Sequence, residues 1–448
     1  MPKTHLNAER STTYCGVDLG STNMKVVLLS EDGTVVRREC RPTPRADDLA
    51  LDADQILESV ERLIILACGD RFCVHSIAVA GIGEDGVLLD ADLEPLGPVL
   101  TWFDPRRIGL FESIRPRLAD LPDTGTPLDA ARTVVGWAWA MGQPGAARAR
   151  TWVALTDYPA VRWSGAPFMS DTLAARTAAW SVTRQIWHDR NVEATLGKAE
   201  RLPPVKPAGS VLGPVQSARL QAAGVLHSNA VVVAGGHDHP VGAWGVSQLD
   251  AQAVLDSMGT AEVVVGQSSH SSLPASKHLD IAAGITHRGL TLLSVTELAR
   301  NIEWASQEID VAAWIKRIAA GDQLPDEYLH SDLFEPGGTG GGQPRYRSER
   351  PIAPLSKASA VLGALARRGR DAVATVSSRM CGPVSVYAAG GWSRAPGWMA
   401  LKGQCLETPV QTIPEQEVTA VGAAMLAAWA CDVALAPERS LSFDAAGR

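Results

Sequence analysis

Asp18-Leu19-Gly20-Ser21-Thr22-Asn23-Met24-Lys25 lies between two short β-rich runs, residues 14–17 and 25–29, and its reading decides the fold. The glycine lets backbone approach a bound anion closely, the two hydroxyls add donors, and a carboxylate at the mouth can hold water on a magnesium ion. The stretch reads as an anion-cradling hairpin, although an ordinary polar turn would have the same composition. Asp18, Gly20, Ser21, Thr22, Asn23 and Lys25 are its candidate phosphate-binding residues, with Asp18 the candidate Mg²⁺ ligand through water.

Working outward, Asp32-Gly33 is a two-residue hairpin signal leading into a third strand, residues 34–38, so the chain opens as a β-meander. Apolar residues at helical spacing over 56–68 predict a helix, and 75–80 a buried strand. A mixed helical and irregular stretch follows over 130–185. The pattern then restarts with a strand at 230–234, Gly235-Gly236-His237-Asp238, a helix-like 242–246 and a strand at 253–255. Asp256-Ser257-Met258-Gly259-Thr260 comes next, before a strand at 261–266. Gly259 and Thr260 repeat the chemistry of the first turn, and two such hairpins facing each other would clamp a polyphosphate from both sides. Residues 358–380 and 418–431 read as helices around a strand at 384–388. The pattern predicts a duplicated α/β architecture with its boundary near residues 230–240.

At 448 residues the chain exceeds what one core usually supports, so two domains with a cleft between them are expected. Apolar residues are 46% and charged residues 20%, the composition of an ordinary globular protein. The net charge is −8 and the 41 Lys and Arg form no basic tract, which argues against nucleic acid or an anionic membrane as partner. Seven cysteines, odd in number and without a C-x-x-C pair, read as reduced thiols. Residues 1–13 are polar, lack the order of a secretory signal and read as a frayed leader. No window of 18 apolar residues occurs, so a cytoplasmic location is expected. Homodimers are common among cytosolic proteins, and assembly stays open.

Taken together, these segments resemble the FGGY family of carbohydrate kinases, from about residue 14 to about residue 430. Gly86-Val87-Leu88-Leu89-Asp90 and Thr101-Trp102-Phe103-Asp104-Pro105-Arg106 are similar to the segments that border the sugar in that family. Gly235-Gly236-His237-Asp238-His239 resembles its Gly-rich turn with the catalytic aspartate, Gly390-Gly391-Trp392-Ser393 its adenosine loop, and Glu417-Val418-Thr419-Ala420-Val421-Gly422 its closing helix. The resemblance implies an α/β fold of two ribonuclease-H-like, actin-like ATPase domains with an interdomain cleft. Residues 1–235 would form the N-terminal domain with the first hairpin and the sugar site, and 236–448 the C-terminal domain with the catalytic aspartate, second hairpin and adenosine site. It further implies ATP and Mg²⁺, Asp238 as the base, Gly390, Gly391, Trp392 and Ser393 at the nucleotide, and a sugar or polyol bound by Glu84, Asp85, Trp102, Asp104, Arg106, Asp238 and His239. An aspartate at a turn after a buried strand can reach a bound hydroxyl, and it can equally cap the following helix.

Two departures qualify the resemblance. Glu84-Asp85 stands where many members carry other polar pairs, which leaves pentuloses, hexuloses, polyols and aldonates open. The Gly337–Gly342 stretch lacks a Gly-Glu-Arg segment, so it reads as a flexible loop or a phosphate-covering flap. Three rival readings compete with it. Gly81-Ile82-Gly83-Glu84-Asp85-Gly86 fits G-x-G-x-x-G, yet a strand-like run follows where a dinucleotide site needs a helix. His237-x-His239 lacks further ligands for a metallohydrolase. A homologue that lost catalysis and senses sugar or nucleotide is the alternative to an active kinase.

Overall fold

The computed structural model describes residues 10–45, 49–273, 279–338, 342–348 and 350–443. Its first sheet contains β1 (Ser11–Leu19), β2 (Asn23–Leu29), β3 (Val35–Pro42), β4 (Phe72–Gly81), β5 (Val211–Pro214) and β6 (Leu226–His237), in the order β5-β6-β4-β1-β2-β3. The second contains β7 (Ala253–Met258), β8 (Ala261–Ser268), β9 (Asp280–Ala283), β10 (Leu290–Glu297), β11 (Ser385–Ala389) and β12 (Val410–Thr412), in the order β9-β10-β8-β7-β11-β12. Each sheet opens with an antiparallel hairpin, β1 to β2 and β7 to β8. Each hairpin's first strand then runs parallel to a later one, β4 and β11 respectively. The duplication expected from the repeated turn chemistry is therefore present in five strands of each sheet, β3-β2-β1-β4-β6 and β10-β8-β7-β11-β12, while β5 and β9 have no counterpart. β1 begins at Ser11, opposite Phe72, so residues 11–13 belong to the sheet and not to the leader the sequence suggested.

Helices cover the sheets where apolar periodicity dictates. α1 (Ala53–Cys68) starts at Asp52, whose carboxylate accepts the Gln55 N–H, and buries Ile56, Val60, Leu63, Ile64 and Ala67 along one stripe. That stripe packs on β2 and β3. α2 (Arg106–Ile114) follows the Trp102 loop, and α3 (Asp238–Ser247) leaves β6 directly. α4 (Pro354–Ser377), α5 (Pro396–Leu406) and α6 (Val418–Trp429) complete the set that shapes the site.

α3 and α6 are apolar almost all round because they lie between the two sheets. One core cluster joins Val27, Ala78 and Val233 of the first sheet to Leu255, Val263 and Leu293 of the second through Val241 of α3 and Val421 of α6. A helix buried on every side has no polar face to offer, which explains the run of small residues at 420–430. Among the described residues no helix is long and apolar enough to cross a membrane.

Candidate active site

The first hairpin closes through Gly20 N–H donating to the Asn23 carbonyl at 3.1 Å. It is braced from behind: the Thr43 hydroxyl donates to the Gly20 carbonyl at 2.7 Å, and Arg45 donates to the Ser21 carbonyl. The Arg45 guanidinium also lies 4.8 Å from the centre of the Phe103 ring, which ties this turn to the Trp102 loop. Asp18 and Lys25 face each other across the hairpin, Nζ 3.4 Å from Oδ2. Lys25 also reaches Glu417 at the start of α6, at 2.7 Å. Glu417 has no signal of its own in the sequence beyond its place before the closing helix.

Burial pushes the Asp18 carboxyl up to about 7 against the pull of Lys25, and the nearby charges of Asp238 and Glu417 raise it further. Three carboxylates and one ammonium leave excess negative charge here, a setting that fits a divalent cation held through water. Among the described residues no group of three or more His, Cys, Asp or Glu gathers into an all-protein metal site. The folded-state value lies above the ordinary 3.8, so the folded protein binds more protons than the unfolded chain between the two values, and stability is lost as pH rises across that window. Asp18→Asn is therefore expected to gain stability relative to the parent as pH rises from about 4 to 7, read by urea unfolding in magnesium-free buffer. A difference that is flat with pH would contradict the account.

At the second hairpin, Gly259 N–H donates to the Ala261 carbonyl at 2.9 Å, and Gly259 and Thr260 are both exposed. The two hairpins differ in their aspartates. Asp256 is fully buried and pairs with Lys402 of α5 at 2.9 Å, whereas Asp18 retains contact with solvent. Ser257 pairs in register with Ala389, which puts the Gly390 turn beside this hairpin. Gly390 has φ +91° and packs on the Met258 carbonyl so closely that a Cβ would come within 2.4 Å. Ser393 donates its hydroxyl back to the Gly390 carbonyl at 2.8 Å. Next to this turn lies a cavity of about 450 Å³, lined by Ile302, Ile315, Ala319, Trp392, Arg394 and Pro396. Its size is that of an ordinary small-molecule site. Gly337, at the start of the glycine run, is held by the Asn301 side chain and by Arg368; residues 339–341 lie outside the described residues.

Asp238 is the first residue of α3, and the turn before it has little freedom. A Cβ on Gly235 would sit 1.9 Å from the Val79 carbonyl oxygen, and one on Gly236 2.2 Å from the Thr172 hydroxyl. Thr172 accepts the His237 N–H at 3.0 Å, and the Ser170 hydroxyl donates to the Gly235 carbonyl at 3.0 Å. Ser170 is anchored in turn by its N–H to Asp157 at 2.7 Å. The Asp238 carboxylate accepts the His239 N–H at 2.6 Å on Oδ1, and the His239 ring nitrogen lies 3.8 Å from that oxygen.

In the loop before α2, Trp102 is 42% exposed and meets Phe103 edge-on at 5.5 Å. Asp104 and Arg106 are engaged with each other: Asp104 caps the start of α2 through the Arg106 N–H at 2.9 Å and holds its guanidinium at 2.7 Å. Asp85 is fully buried, its pKa pushed up to about 7 by burial against the pull of Arg107. Arg107, which the sequence reading passed over for Arg106, donates to the carbonyls of Leu100, Thr101, Ala131 and Arg132. Glu84 joins a network the sequence did not reveal: Arg176 at 2.6 Å, Arg132 at 3.3 Å, and through Arg176 the Asp280 carboxylate at 2.6 Å. Asp280 belongs to β9, so these ion pairs link the Glu84 segment of the first half to the second sheet.

Residues 13–245 match the family model described as the FGGY family of carbohydrate kinases, N-terminal domain, and residues 338–431 match its C-terminal domain. The xylulose kinase of Escherichia coli (strain K12) is 27% identical over 453 aligned positions, covering 96% of this chain and 91% of the relative. The L-fuculokinase of Salmonella typhi is 24% identical, covering 95% and 93%. Among solved structures, the xylulose kinase from Rhodospirillum rubrum superposes with a TM-score of 0.83 at 20% identity, over 96% of this chain and 92% of that one. Plasmodium falciparum glycerol kinase with ADP superposes with a TM-score of 0.80 at 14% identity, over 97% and 93%. At those identities the superpositions establish the fold alone, that of a two-domain actin-like ATPase. The family matches establish membership: the chain belongs to the FGGY family of carbohydrate kinases, and it is an ATP-dependent phosphotransferase.

Proposed function

We propose that this kinase transfers the γ-phosphate of ATP to a hydroxyl of a ketose, such as a pentulose or hexulose, or of a polyol, with Asp238 as the general base. The observation that carries the reading is the setting of Asp238. It stands at the N-terminus of α3, on a turn immobilised by Ser170 and Thr172, close enough to Asp18 for the two charges to interact. Phosphoryl transfer asks the protein chiefly for positioning and charge neutralisation, plus a group to take the alcohol proton. The relatives named above act, by their names, on xylulose and L-fuculose, which supports an open-chain or ring sugar as acceptor.

In this reading Gly20, Ser21, Thr22, Asn23 and Lys25 from one hairpin and Gly259 and Thr260 from the other hold the phosphates. Mg²⁺, when bound, neutralises charge on the phosphates, and Asp18 orients its water shell. Trp392 covers adenosine in the cavity beside Gly390, Gly391 and Ser393, while Trp102 offers a face to sugar C–H groups. Glu84 and His239 complete the acceptor site, with Asp85, Asp104 and Arg106 shaping its wall. The two lobes, residues 1–235 and 236–448, would close on the bound pair and exclude water.

A coupled ADP-release screen across ketoses, polyols and sugar acids tests the reading; turnover with one neutral sugar is expected, and silence across the panel would favour the sensor alternative. Trp392→Ala is expected to raise the KM for ATP about tenfold with kcat nearly unchanged, because it removes apolar cover from a nucleotide bound equally in ground and transition states. An unaltered KM for ATP in initial-rate kinetics would count against the nucleotide assignment.

A further inference from the structure

His237 precedes the catalytic aspartate and is not needed for any step above, yet its ring is almost wholly buried beside it. Its Nε2 lies 3.2 Å from Asp238 Oδ1, the oxygen that already accepts the His239 N–H at 2.6 Å. Its Nδ1 is buried without a hydrogen-bond partner. A neutral imidazole carries one N–H, and a buried ring keeps that hydrogen on the nitrogen that has an acceptor. Nε2 has a carboxylate and Nδ1 has nothing, so the hydrogen belongs on Nε2.

The ring is neutral for a physical reason. Burial holds its pKa well below the usual histidine value, and the charges of Arg176, His239 and Arg132 push it in the same direction, with Asp238 the facing carboxylate. It is thus a neutral group facing Asp238 Oδ1 at 3.2 Å and not a counter-cation that would quench its basicity. Backbone contacts fix the ring's approach: the His237 N–H is held by Thr172, and Gly83 lies against the ring edge, where a Cβ would come 2.9 Å from Cδ2.

We infer that His237 is a positioning residue for phosphoryl transfer, its Nε2–H joining the His239 N–H on Oδ1 of Asp238 so that Oδ2 is left as the basic oxygen aimed at the acceptor. The inference rests on the reading of Asp238 as the base. In the step it serves, the acceptor oxygen forms a bond to the γ-phosphorus as the bond from that phosphorus to the bridging β-γ oxygen breaks. The electron pair of the broken bond leaves on ADP, and the acceptor proton passes to Asp238 Oδ2. With Oδ1 fixed by two donors the carboxylate cannot rotate away from that line. A misplacement of about 1 Å at this point costs about a hundredfold in rate.

His237→Phe keeps the bulk of the ring and removes the donor, His237→Ala removes both, and His237→Gln keeps an N–H close to the position of Nε2. The expected result is a fall of about a hundredfold in kcat for His237→Phe and His237→Ala, with the KM for ATP and acceptor little changed, and recovery of most of kcat in His237→Gln. Thermal unfolding of each variant identifies any that does not fold; the comparison then rests on the folded ones, of which His237→Gln changes the packing least. Parental kcat in folded His237→Phe, or a folded His237→Gln as slow as Asp238→Asn, overturns the inference. Full turnover in Asp238→Asn would instead overturn the reading of the base, so the two failures are told apart.

Discussion

Asp238→Asn is expected to lower sugar-dependent ADP release by about a hundred- to ten-thousandfold while leaving ATP binding close to that of the parent protein. The magnitude is that of losing a general base, which acts in the transition state and contributes little to ground-state affinity. Asparagine preserves the shape and still accepts the His239 N–H through its carbonyl oxygen, so the Gly235–Gly236 turn, held by Ser170 and Thr172, has no reason to rearrange. Removing one negative charge near Asp18 also relieves part of the repulsion that raises the Asp18 carboxyl, so nucleotide affinity is, if anything, improved. Steady-state kinetics gives kcat, and equilibrium titration with ATP and Mg²⁺ gives the affinity. Parental turnover would falsify the assignment of the base. A variant that had lost ATP binding as well would show that Asp238 belongs to the phosphate site rather than the acceptor.

How much of this arrangement was legible in the sequence depended on whether the information was local. Both hairpins could be read because their strands alternate or run apolar and their turns carry Gly, Ser and Thr within five residues, so the period and the turn chemistry lie side by side. The Gly235–Gly236 turn before Asp238 could be read for the same reason. Arg132, Arg176, Asp280, Glu417 and Lys402 could not, since each acquires its role from a partner far along the chain, and a lone charge in an apolar stretch is the only local mark. Lys402 shows such a mark, lying in a run with Trp398, Met399 and Leu401 on a helix whose buried residues are otherwise apolar. A lysine at a buried helical position needs a carboxylate partner, and that requirement is visible before the structure is known even though the partner is not. The second turn resembles the first in sequence without sharing its side-chain partners. Asp256 occupies the place of Asp18 in the pattern, but its carboxylate points to Lys402 and not to the cleft. Similar turn sequences here share a backbone path while their side chains face different neighbours.

Lys402→Met should destabilise the protein by about 3–5 kcal/mol, the usual cost of removing one partner from a buried ion pair. Lys402 lies wholly buried between Asp256 of β7, at 2.9 Å, and Glu262 of β8, which it also contacts directly. Burial, together with Asp256, pushes the Glu262 carboxyl up to about 8 in spite of Lys402, so Lys402 is the one cation shared by two buried acids. Methionine fills a similar volume but leaves the two buried acids without their cation in the core. The double variant Asp256→Asn/Lys402→Met removes both charges and should recover much of the loss, because replacing a buried pair by uncharged groups is often near neutral. Gly369 of α4 makes room for the triad: a Cβ there would sit 2.1 Å from both Lys402 Nζ and Glu262 Oε1. Alanine normally gains about 1 kcal/mol over glycine inside a helix. Overpacking against groups that cannot move costs about 1–3 kcal/mol, so Gly369→Ala should be destabilising on balance. The two strands gripped by Lys402 carry the second hairpin, and α5 follows the Gly390 turn, so loosening the triad should weaken ATP binding along with stability. Urea unfolding with and without ATP measures both. A Lys402→Met variant as stable as its parent, or no recovery in the double variant, would show that the cost of burying these charges already equals what their pairing contributes.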